Sequence, residues 1–297
     1  MITRPCPACG SRDFSKVFAE ASYDFDRLDS FAFASRKTPE YMHFRLISCP
    51  VCDLLYSNPI PEAAGLGKAY EEASYDSAEE AQYASRTYAA FLGRIKKRLP
   101  DLDGAIDIGA GDGAFLERLL ESGFTRVSGI EPSRAPIAAA RQSVRPLIRQ
   151  GLFDPADFKD ESASLITCFQ TLEHLNDPAA MCRAAHRILK KGGAVFFICH
   201  NRSSVSARLL GMKSPIFDIE HLQLFSKKSI EYLLRECGFS EVETRPVYNS
   251  YPLYYWIKLL PLPAAIKRRS TFFFKKTLGD FTLMLPAGNM AAIGYKK

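Results

Sequence analysis

The sequence predicts an α/β protein with a doubly wound sheet, preceded by a small cysteine-rich module. From about residue 101 onward, short apolar runs alternate with amphipathic stretches, and a glycine-rich loop follows the first of these runs. Strands that alternate with helices pair in parallel through right-handed crossovers, which gives a doubly wound sheet. Two CxxC pairs before residue 60 predict the separate module.

Seven strands and four helices follow from this alternation. The strand candidates are Ala105–Ile108, Arg126–Glu131, Pro146–Arg149, Ser164–Phe169, Ala194–Cys199, Val242–Tyr248 and Ala291–Tyr295. The helix candidates are Ala114–Glu121, Ser133–Gln142, Pro178–Leu189 and Ser226–Cys237. Ser226 is a typical N-cap residue and Gly238 a typical residue after a helix end, so they bound the last of these helices.

Length and composition are those of a globular protein with a sizeable core. The chain has 297 residues, of which 47% are hydrophobic and 24% charged. A net charge of +6 permits an anionic partner but does not require one. The N-terminus lacks the apolar region of a signal peptide, and no stretch reaches the roughly 18 apolar residues of a membrane span. We therefore expect a cytoplasmic protein.

The glycine loop 109–113 lies between the strand 105–108 and a helix. Glycines let the backbone turn sharply and approach a ligand closely. By itself the loop fits two ligands, because Gly109, Gly111 and Ala114 also satisfy the dinucleotide pattern GxGxxG/A. A turn that binds no ligand is a third alternative.

Two carboxylates complete this candidate site. Glu131 follows Gly111 by twenty residues and would hold ribose hydroxyls with either ligand. Asp107 lies on the strand itself, where a buried carboxylate needs a cationic or hydrogen-bonding partner. The aminoacyl ammonium of S-adenosylmethionine would supply one, whereas a pyrophosphate would not. The loop therefore favours S-adenosylmethionine over NAD.

These residues resemble class I S-adenosylmethionine-dependent methyltransferases over about residues 86–248. The motifs that carry the resemblance occur in order as Asp107–Gly113, Glu131-Pro132, Leu165–Leu175 and Leu189–Gly193. The resemblance implies a Rossmann-like seven-stranded sheet with an antiparallel last strand. We divide the chain accordingly into a zinc-ribbon-like module (1–58), a helical connector or cofactor lid (59–100), the cofactor domain (101–248), and an aromatic-basic insert with the final strand (249–297).

The resemblance also assigns the cofactor contacts. They are Tyr75, Asp107, Gly109 and Gly111 at the aminoacyl end, Phe169 or Gln170 near the methionine moiety, Glu131 and Pro132 at the ribose, and Leu152 and Phe153 beside the adenine. Transfer to an OH or CH group also requires a base. The candidates are His174 and His221. Each has a structural alternative, His174 as an organiser of its loop and His221 in a role shared with Glu220.

The cysteine pairs Cys6-Pro7-Ala8-Cys9 and Cys49-Pro50-Val51-Cys52 match each other. Four thiolates at this spacing suit tetrahedral zinc, which leaves no open position for catalysis. We therefore expect a structural Zn²⁺ held by Cys6, Cys9, Cys49 and Cys52, with a redox role as the alternative. The intervening residues 14–43 are expected to form a finger or hairpin.

An N-terminal four-cysteine module ahead of such a domain resembles two groups of methyltransferases. One acts on nucleotide-linked sugars and related glycan or lipid-linked precursors, and the other on ribosomal RNA. We expect a small-molecule acceptor, because the turn Gln170–Glu173 departs from the Asn/Asp-Pro-Pro-Tyr/Phe turn of amino-directed nucleic-acid enzymes and no long basic stripe is present. The sugar enzymes are longer, with an additional C-terminal domain. A cofactor-binding scaffold that recruits a partner through the zinc module is the non-enzyme alternative.

Residues 251–276 combine aromatic, apolar and basic side chains. Such a segment suits a substrate lid, a homodimer interface or an interfacial membrane element. The last alternative would place the protein at the inner face of the membrane and would make a lipid-linked acceptor plausible.

Overall fold

The computed structural model describes residues 1–24, 26, 32–33, 40–259, 264–279 and 281–297. Its strands are β1 (Val17–Ala19), β2 (Leu46–Ser48), β3 (Leu55–Ser57), β4 (Ala105–Ile108), β5 (Val127–Glu131), β6 (Ile148–Gln150), β7 (Ala163–Phe169), β8 (Leu189–His200), β9 (Gln223–Leu224), β10 (Ser240–Pro252) and β11 (Thr282–Tyr295). Its helices are α1 (Ala63–Glu71), α2 (Ala78–Ile95), α3 (Ala114–Glu121), α4 (Arg134–Ala139), α5 (Pro178–Ile188), α6 (Val205–Leu210), α7 (Lys227–Glu236), α8 (Leu253–Leu259) and α9 (Ala264–Leu278).

The central sheet has seven strands in the order β10-β11-β8-β7-β4-β5-β6. Strands β4 to β8 pair in parallel, whereas β11 pairs antiparallel with β8 and with β10. Side chains of the inner strands are fully buried on both faces, including Ile166, Phe196 and Phe197. The predicted seven-stranded α/β sheet with antiparallel last strands is confirmed.

Three strands are longer than the sequence pattern indicates. β8 begins directly after α5, because Gly192 and Gly193 exchange backbone hydrogen bonds with Lys296 at the end of the chain. β10 and β11 continue past the sheet as a two-stranded extension in which Pro252 pairs with Thr282. This extension carries exposed side chains, so it lacks the alternation that marks a half-buried strand. β10 thus crosses the domain boundary expected at residue 248.

The N-terminal module shares its sheet with the rest of the chain. Its order is β1-β2-β3-β9, and β9 comes from the C-terminal half. Parts of the expected finger 14–43 pair in this region, since Ser22 bridges to His43 and Val17 to Ile47. Residues 25, 27–31 and 34–39 of that finger lie outside the described residues.

Arg4 links the module to two loops of the larger domain. Its buried guanidinium donates to the backbone carbonyls of Ser57, Asn176 and Leu222 and to the side chain of Gln223 at 2.8–3.2 Å. Gln223 in turn donates to two carbonyls of the loop that contains His174. Burial lowers the pKa of Arg4 to about 10, so the group stays cationic near neutral pH.

Candidate functional site

A cavity of about 630 Å³ opens at the carboxyl ends of the parallel strands. The glycine loop after β4 and the ends of β5 and β7 form one end of it. α2, the loop 215–221 and the β10–β11 hairpin contribute to its lining as well. Ligands bind at this edge of open α/β sheets because the loops of neighbouring strands diverge there.

The glycine loop is shaped for close approach. Gly109 and Gly111 have φ values of +77° and +55°, which side-chain-bearing residues rarely adopt. A Cβ at Gly109 would come within 2.1 Å of the Thr171 hydroxyl, whereas a Cβ at Gly111 would meet no atom within 4 Å. The absence of a side chain at Gly109 therefore lets the loop pack against Thr171 within the protein, whereas Gly111 borders open space in the cavity.

Glu131, the last residue of the neighbouring strand β5, holds the glycine loop through a hydrogen bond. Its Oε2 accepts from the backbone N–H of Gly111 and its Oε1 from that of Ser133, both at 2.9 Å. The side chain is buried, and burial raises its pKa despite these two bonds. The carboxylate thus has a fixed orientation at the end of β5.

Asp107 is a buried carboxyl group in the middle of the sheet. It is 2% exposed, and the Thr167 hydroxyl donates to its Oδ1 at 2.5 Å. Burial raises its pKa to about 7, and the nearby Glu131 carboxylate adds to the shift. No Lys or Arg is present among the described residues that line the cavity. A cationic ligand group would stabilise the ionised form of Asp107.

The remaining expected cofactor residues also line the cavity: Tyr75, Pro132, Leu152, Phe153, Phe169 and Gln170. Leu152 is 61% exposed at the rim, and Phe153 stacks on Phe158. The ring of Phe169 lies against Phe115 and Tyr88 at centroid distances of 4.6 and 4.9 Å. Phe169 therefore lines the cavity as part of a cluster of packed aromatic rings.

His174 and His221 lie beside each other in another part of the lining, with ring centroids 5.0 Å apart. His174 Nδ1 lies 3.0 Å from the Glu220 carbonyl and 3.1 Å from the Tyr70 hydroxyl. Burial lowers the pKa of His174 to about 4 and holds that of His221 well below its usual value. Both rings are neutral near pH 7.

His200 is a third histidine in this end of the cavity, and sequence reasoning missed it. Its ring lies 5.0 Å from that of His221, and its Nδ1 donates to Asn289 Oδ1 at 2.9 Å. With the proton on Nδ1, Nε2 is an acceptor. A polar residue directly after the predicted strand 194–199 was the available signal, because residues at strand ends line such clefts.

The hairpin contributes residues that no local motif marks. Asn249 and Tyr251 on β10 and Asn289 on β11 line the cavity, together with Tyr255 on the adjoining helix α8. Their positions depend on the pairing of β10 with β11, which brings residues about forty positions apart into register.

The four cysteines of the N-terminal pairs form one cluster. Cys6 and Cys52 have Sγ atoms 3.5 Å apart, Cys9 and Cys49 3.4 Å, and all four lie within 4.8 Å of one another. Hydrogen bonds from Cys52 and from the backbone of Ala8 and Cys9 lower the pKa of Cys6 to about 5. Cys9 and Cys49 are 40 positions apart in the sequence, so it is the fold of the module that brings their thiols into contact.

Comparison with known proteins places the chain in a family. A family model described as a methyltransferase domain matches residues 79–244. The ubiquinone biosynthesis O-methyltransferase of Pseudomonas syringae pv. tomato is 38% identical over 104 residues, which cover 33% of this chain and 44% of that protein. The protein of the same name from Pseudomonas entomophila is 34% identical over 107 residues, with the same two coverages. The chain thus matches less than half the length of these curated relatives.

A solved structure shows the same fold. The YcgJ protein of Bacillus subtilis has a TM-score of 0.50 and 16% identity, with 71% of this chain and 98% of that chain covered. The family match covers more than half of the chain, and the strand order agrees with the fold that the glycine-loop motifs imply. The chain therefore belongs to the methyltransferase-domain family, in its class I S-adenosylmethionine-dependent branch.

Proposed function

We propose that this protein transfers the methyl group of S-adenosylmethionine to a small-molecule acceptor. The observation that supports this best is a single cavity lined both by Asp107 and Glu131 with the glycine loop, here the donor end, and by three histidines, here the acceptor end. The sulfonium supplies an activated methyl group when it is bound. The chain has to hold the donor and an acceptor in line within one water-poor space.

Each carboxylate has a distinct task at the donor end. Asp107 binds the aminoacyl ammonium, directly or through water, because it is a buried carboxyl group on β4 and no Lys or Arg among the described residues lines the cavity beside it. Glu131 is held by two backbone N–H groups and presents its remaining lone pairs to ribose hydroxyls. Gly111 leaves the space in which the aminoacyl end lies.

Proton removal from a hydroxyl acceptor is assigned to His200. His174, a candidate from the sequence, has its Nδ1 bound to a backbone carbonyl and a pKa of about 4, which makes it a weak base near neutral pH. It orders its own loop. The Nδ1 atom of His221 lies on the Ile216 carbonyl, and burial holds its pKa well below its usual value. His200 lines the cavity with its tautomer fixed by Asn289.

The acceptor is a small molecule rather than RNA. The described cavity lining contains no Lys or Arg that would bind a phosphate. A sugar-linked acceptor stays a prediction, with its nucleotide or lipid phosphate outside the cavity. A phenolic hydroxyl is a second candidate, because the relatives above are named O-methyltransferases of ubiquinone biosynthesis.

Calorimetry with S-adenosylhomocysteine tests the donor end directly. We expect one site per chain, and a titration without heat would overturn the assignment. Transfer of labelled methyl from S-adenosylmethionine to sugar and phenol libraries then tests the activity. A cofactor-binding scaffold would bind S-adenosylhomocysteine and label nothing.

The cysteine cluster is proposed to hold one structural Zn²⁺. Four sulfurs at the usual Zn–S distance of about 2.3 Å form a tetrahedron with edges of about 3.8 Å. The observed separations of 3.4 and 3.5 Å, and the limit of 4.8 Å, fit that shape. The metal would contribute folding energy and leaves no open position for chemistry.

Metal analysis of the purified protein checks this proposal. We expect one equivalent of zinc, lost in Cys49→Ser and kept in Cys237→Ala, which removes a thiol elsewhere. Retention of a full equivalent by the Cys49 variant would refute the four-cysteine site.

Membrane contact is proposed for the exposed face of α9. Arg269, Phe272, Phe273 and Lys276 have the i, i+3, i+4, i+7 spacing of one helix face, and the two phenylalanines are 72% and 58% exposed. Phe274, in contrast, packs against the tyrosines of the hairpin. Basic side chains that flank exposed aromatics suit an anionic lipid surface. No helix among the described residues is long and apolar enough to span a bilayer.

Flotation with phosphatidylserine-rich vesicles separates this proposal from a homodimer interface. Phe272→Ser should reduce co-migration, whereas Leu209→Ser, an equally exposed apolar site on α6, should not. Absence of co-migration by the unmodified protein, with a dimer in sedimentation, would favour the interface instead.

A further inference from the structure

Asn249 is a buried amide without a hydrogen-bonding partner among the described residues. It lies on β10, has 0% exposure and lines the cavity. Neither its Oδ1 nor its Nδ2 is paired. Buried polar groups without partners destabilise the folded state and are rare in proteins, so each one calls for an explanation.

The wall around Asn249 is polar at some points and aromatic at others. Tyr251 and Tyr255 lie with ring centroids 4.4 Å apart on the same side of the cavity. Asn289 is 8% exposed, but its Oδ1 is occupied by His200 Nδ1. Asn249 is therefore the amide of this wall whose donor and acceptor both lack a partner among the described residues.

The charge of the cavity restricts that ligand. The described lining has no Lys or Arg and contains the carboxyl groups of Glu80, Asp107, Asp112, Glu131, Asp177, Asp218 and Glu220. A phosphate or carboxylate would enter against this field without a cation to pair with. Hydroxyl groups both donate and accept, so they satisfy an amide without adding charge.

We propose that Asn249 is the recognition group of an acceptor subsite for an uncharged, hydroxyl-bearing ring compound without phosphate. Of the acceptors considered above, this choice sets aside the sugars linked to a nucleotide or lipid phosphate. Its Nδ2 donates to a ring hydroxyl, its Oδ1 accepts from one, and the tyrosines contact the ring. The identification of this ligand as the methyl acceptor rests on the proposed function. The subsite itself rests on the unpaired amide and on the charge of the lining.

Thermal unfolding of the ligand-free protein tests whether Asn249 is retained for a ligand. Leucine has a similar size and no polar group, so Asn249→Leu should raise Tm by about 2–4 °C. The matched control is Asn289→Leu on the same wall, which removes a paired amide and should lower Tm. A lower Tm for Asn249→Leu would show that this amide stabilises the fold and would overturn the proposal.

Saturation-transfer NMR on the protein with S-adenosylhomocysteine tests the ligand class. Catechol and methyl glucoside are the neutral probes, and phenyl phosphate and glucose 1-phosphate are their charged counterparts. We expect transfer to at least one neutral probe, its loss in Asn249→Leu, and its retention in Tyr248→Leu, a change on the exposed side of the same strand. Transfer to the phosphates, persistence in Asn249→Leu, or no transfer to either neutral probe would overturn the proposal.

Calorimetry with S-adenosylhomocysteine keeps the two proposals distinguishable. Its affinity should be the same in the unmodified protein and in Asn249→Leu. If the unmodified protein does not bind it, the proposed function fails, while the shift in Tm still reports on Asn249. If it binds equally to both and the probes behave contrary to expectation, the subsite fails alone.

Discussion

The two ends of the cavity are built in different ways. At the donor end the bond between Gly111 and Glu131 spans 20 positions, and the bond between Thr167 and Asp107 spans 60. At the other end Tyr70 meets His174 across 104 positions and His200 meets Asn289 across 89. The strand–loop–strand unit 105–131 thus forms much of the donor end, whereas packing between more distant segments forms the acceptor end. A sequence motif therefore predicts the donor end, whereas no motif predicts the acceptor end.

The largest effect is expected at the glycine loop. Gly109→Ala would force a Cβ against Thr171, at a backbone angle that already disfavours alanine. We expect the free energy of unfolding to fall by about 3 kcal/mol or more, against about 1 kcal/mol for Gly111→Ala, which has only the unfavourable φ. Chemical denaturation measures both. Equal losses would show that the Thr171 contact is unimportant.

A smaller effect is expected from the link between the cysteine-rich module and the acceptor end. Arg4→Met removes the side-chain donor of the Asn176 carbonyl and one of the two donors of the Leu222 carbonyl, so stability should fall by about 2–3 kcal/mol. Hydrogen exchange should increase at 172–176 and 218–224, with the affinity for S-adenosylhomocysteine within about twofold. Arg126→Met, at an exposed ion pair with Asp103, should cost less than about 1 kcal/mol. Faster exchange in the glycine loop instead would contradict the division into two ends.

At the donor end, Asp107→Ala or Glu131→Ala should weaken S-adenosylmethionine binding by about tenfold or more. This is the scale of one lost charge-assisted hydrogen bond. Asp177→Asn is the control, because it alters another cavity-lining carboxyl group that caps α5. Unchanged calorimetric affinity in both alanine variants would refute the assigned site.

The smallest effect concerns pH. Burial raises the pKa of Asp107 to about 7 in the ligand-free protein, and an ammonium group binds the ionised form. Affinity for S-adenosylhomocysteine should therefore fall by somewhat less than tenfold as the pH drops from 8 to 6. Asp107→Asn should be weaker at pH 8 and nearly independent of pH. A pH dependence that persists in this variant would assign the titration to another group.

Much of the central fold was predictable because its signals are local. The strand 105–108 and the helix 114–121 have the expected limits, and Ser226 caps α7 through a reciprocal bond with Ser229. Buried parallel strands give continuous apolar runs, and glycine marks the helix ends.

The hairpin and the acceptor residues could not be predicted for the opposite reason. The extension of β10 and β11 pairs exposed residues such as Tyr248 with Pro286, so no apolar alternation reveals it. Asn249 has no motif, and its burial depends on strands and helices far away in sequence. His174 and His221 were found as histidines near strand ends, but their low basicity arises from burial, which composition does not show.

The shared sheet of the N-terminal module has a consequence for synthesis on the ribosome. All four cysteines precede β9 in the sequence, so their thiols can come together before that strand is made. The fourth strand of that sheet, β9, is residues 223–224, and two partners of Arg4 lie beside it. Assembly of this sheet must therefore wait for most of the chain. The cysteine cluster can therefore form before the sheet around it is complete. Expressing residues 1–58 alone would leave β3 as an edge strand without its partner β9.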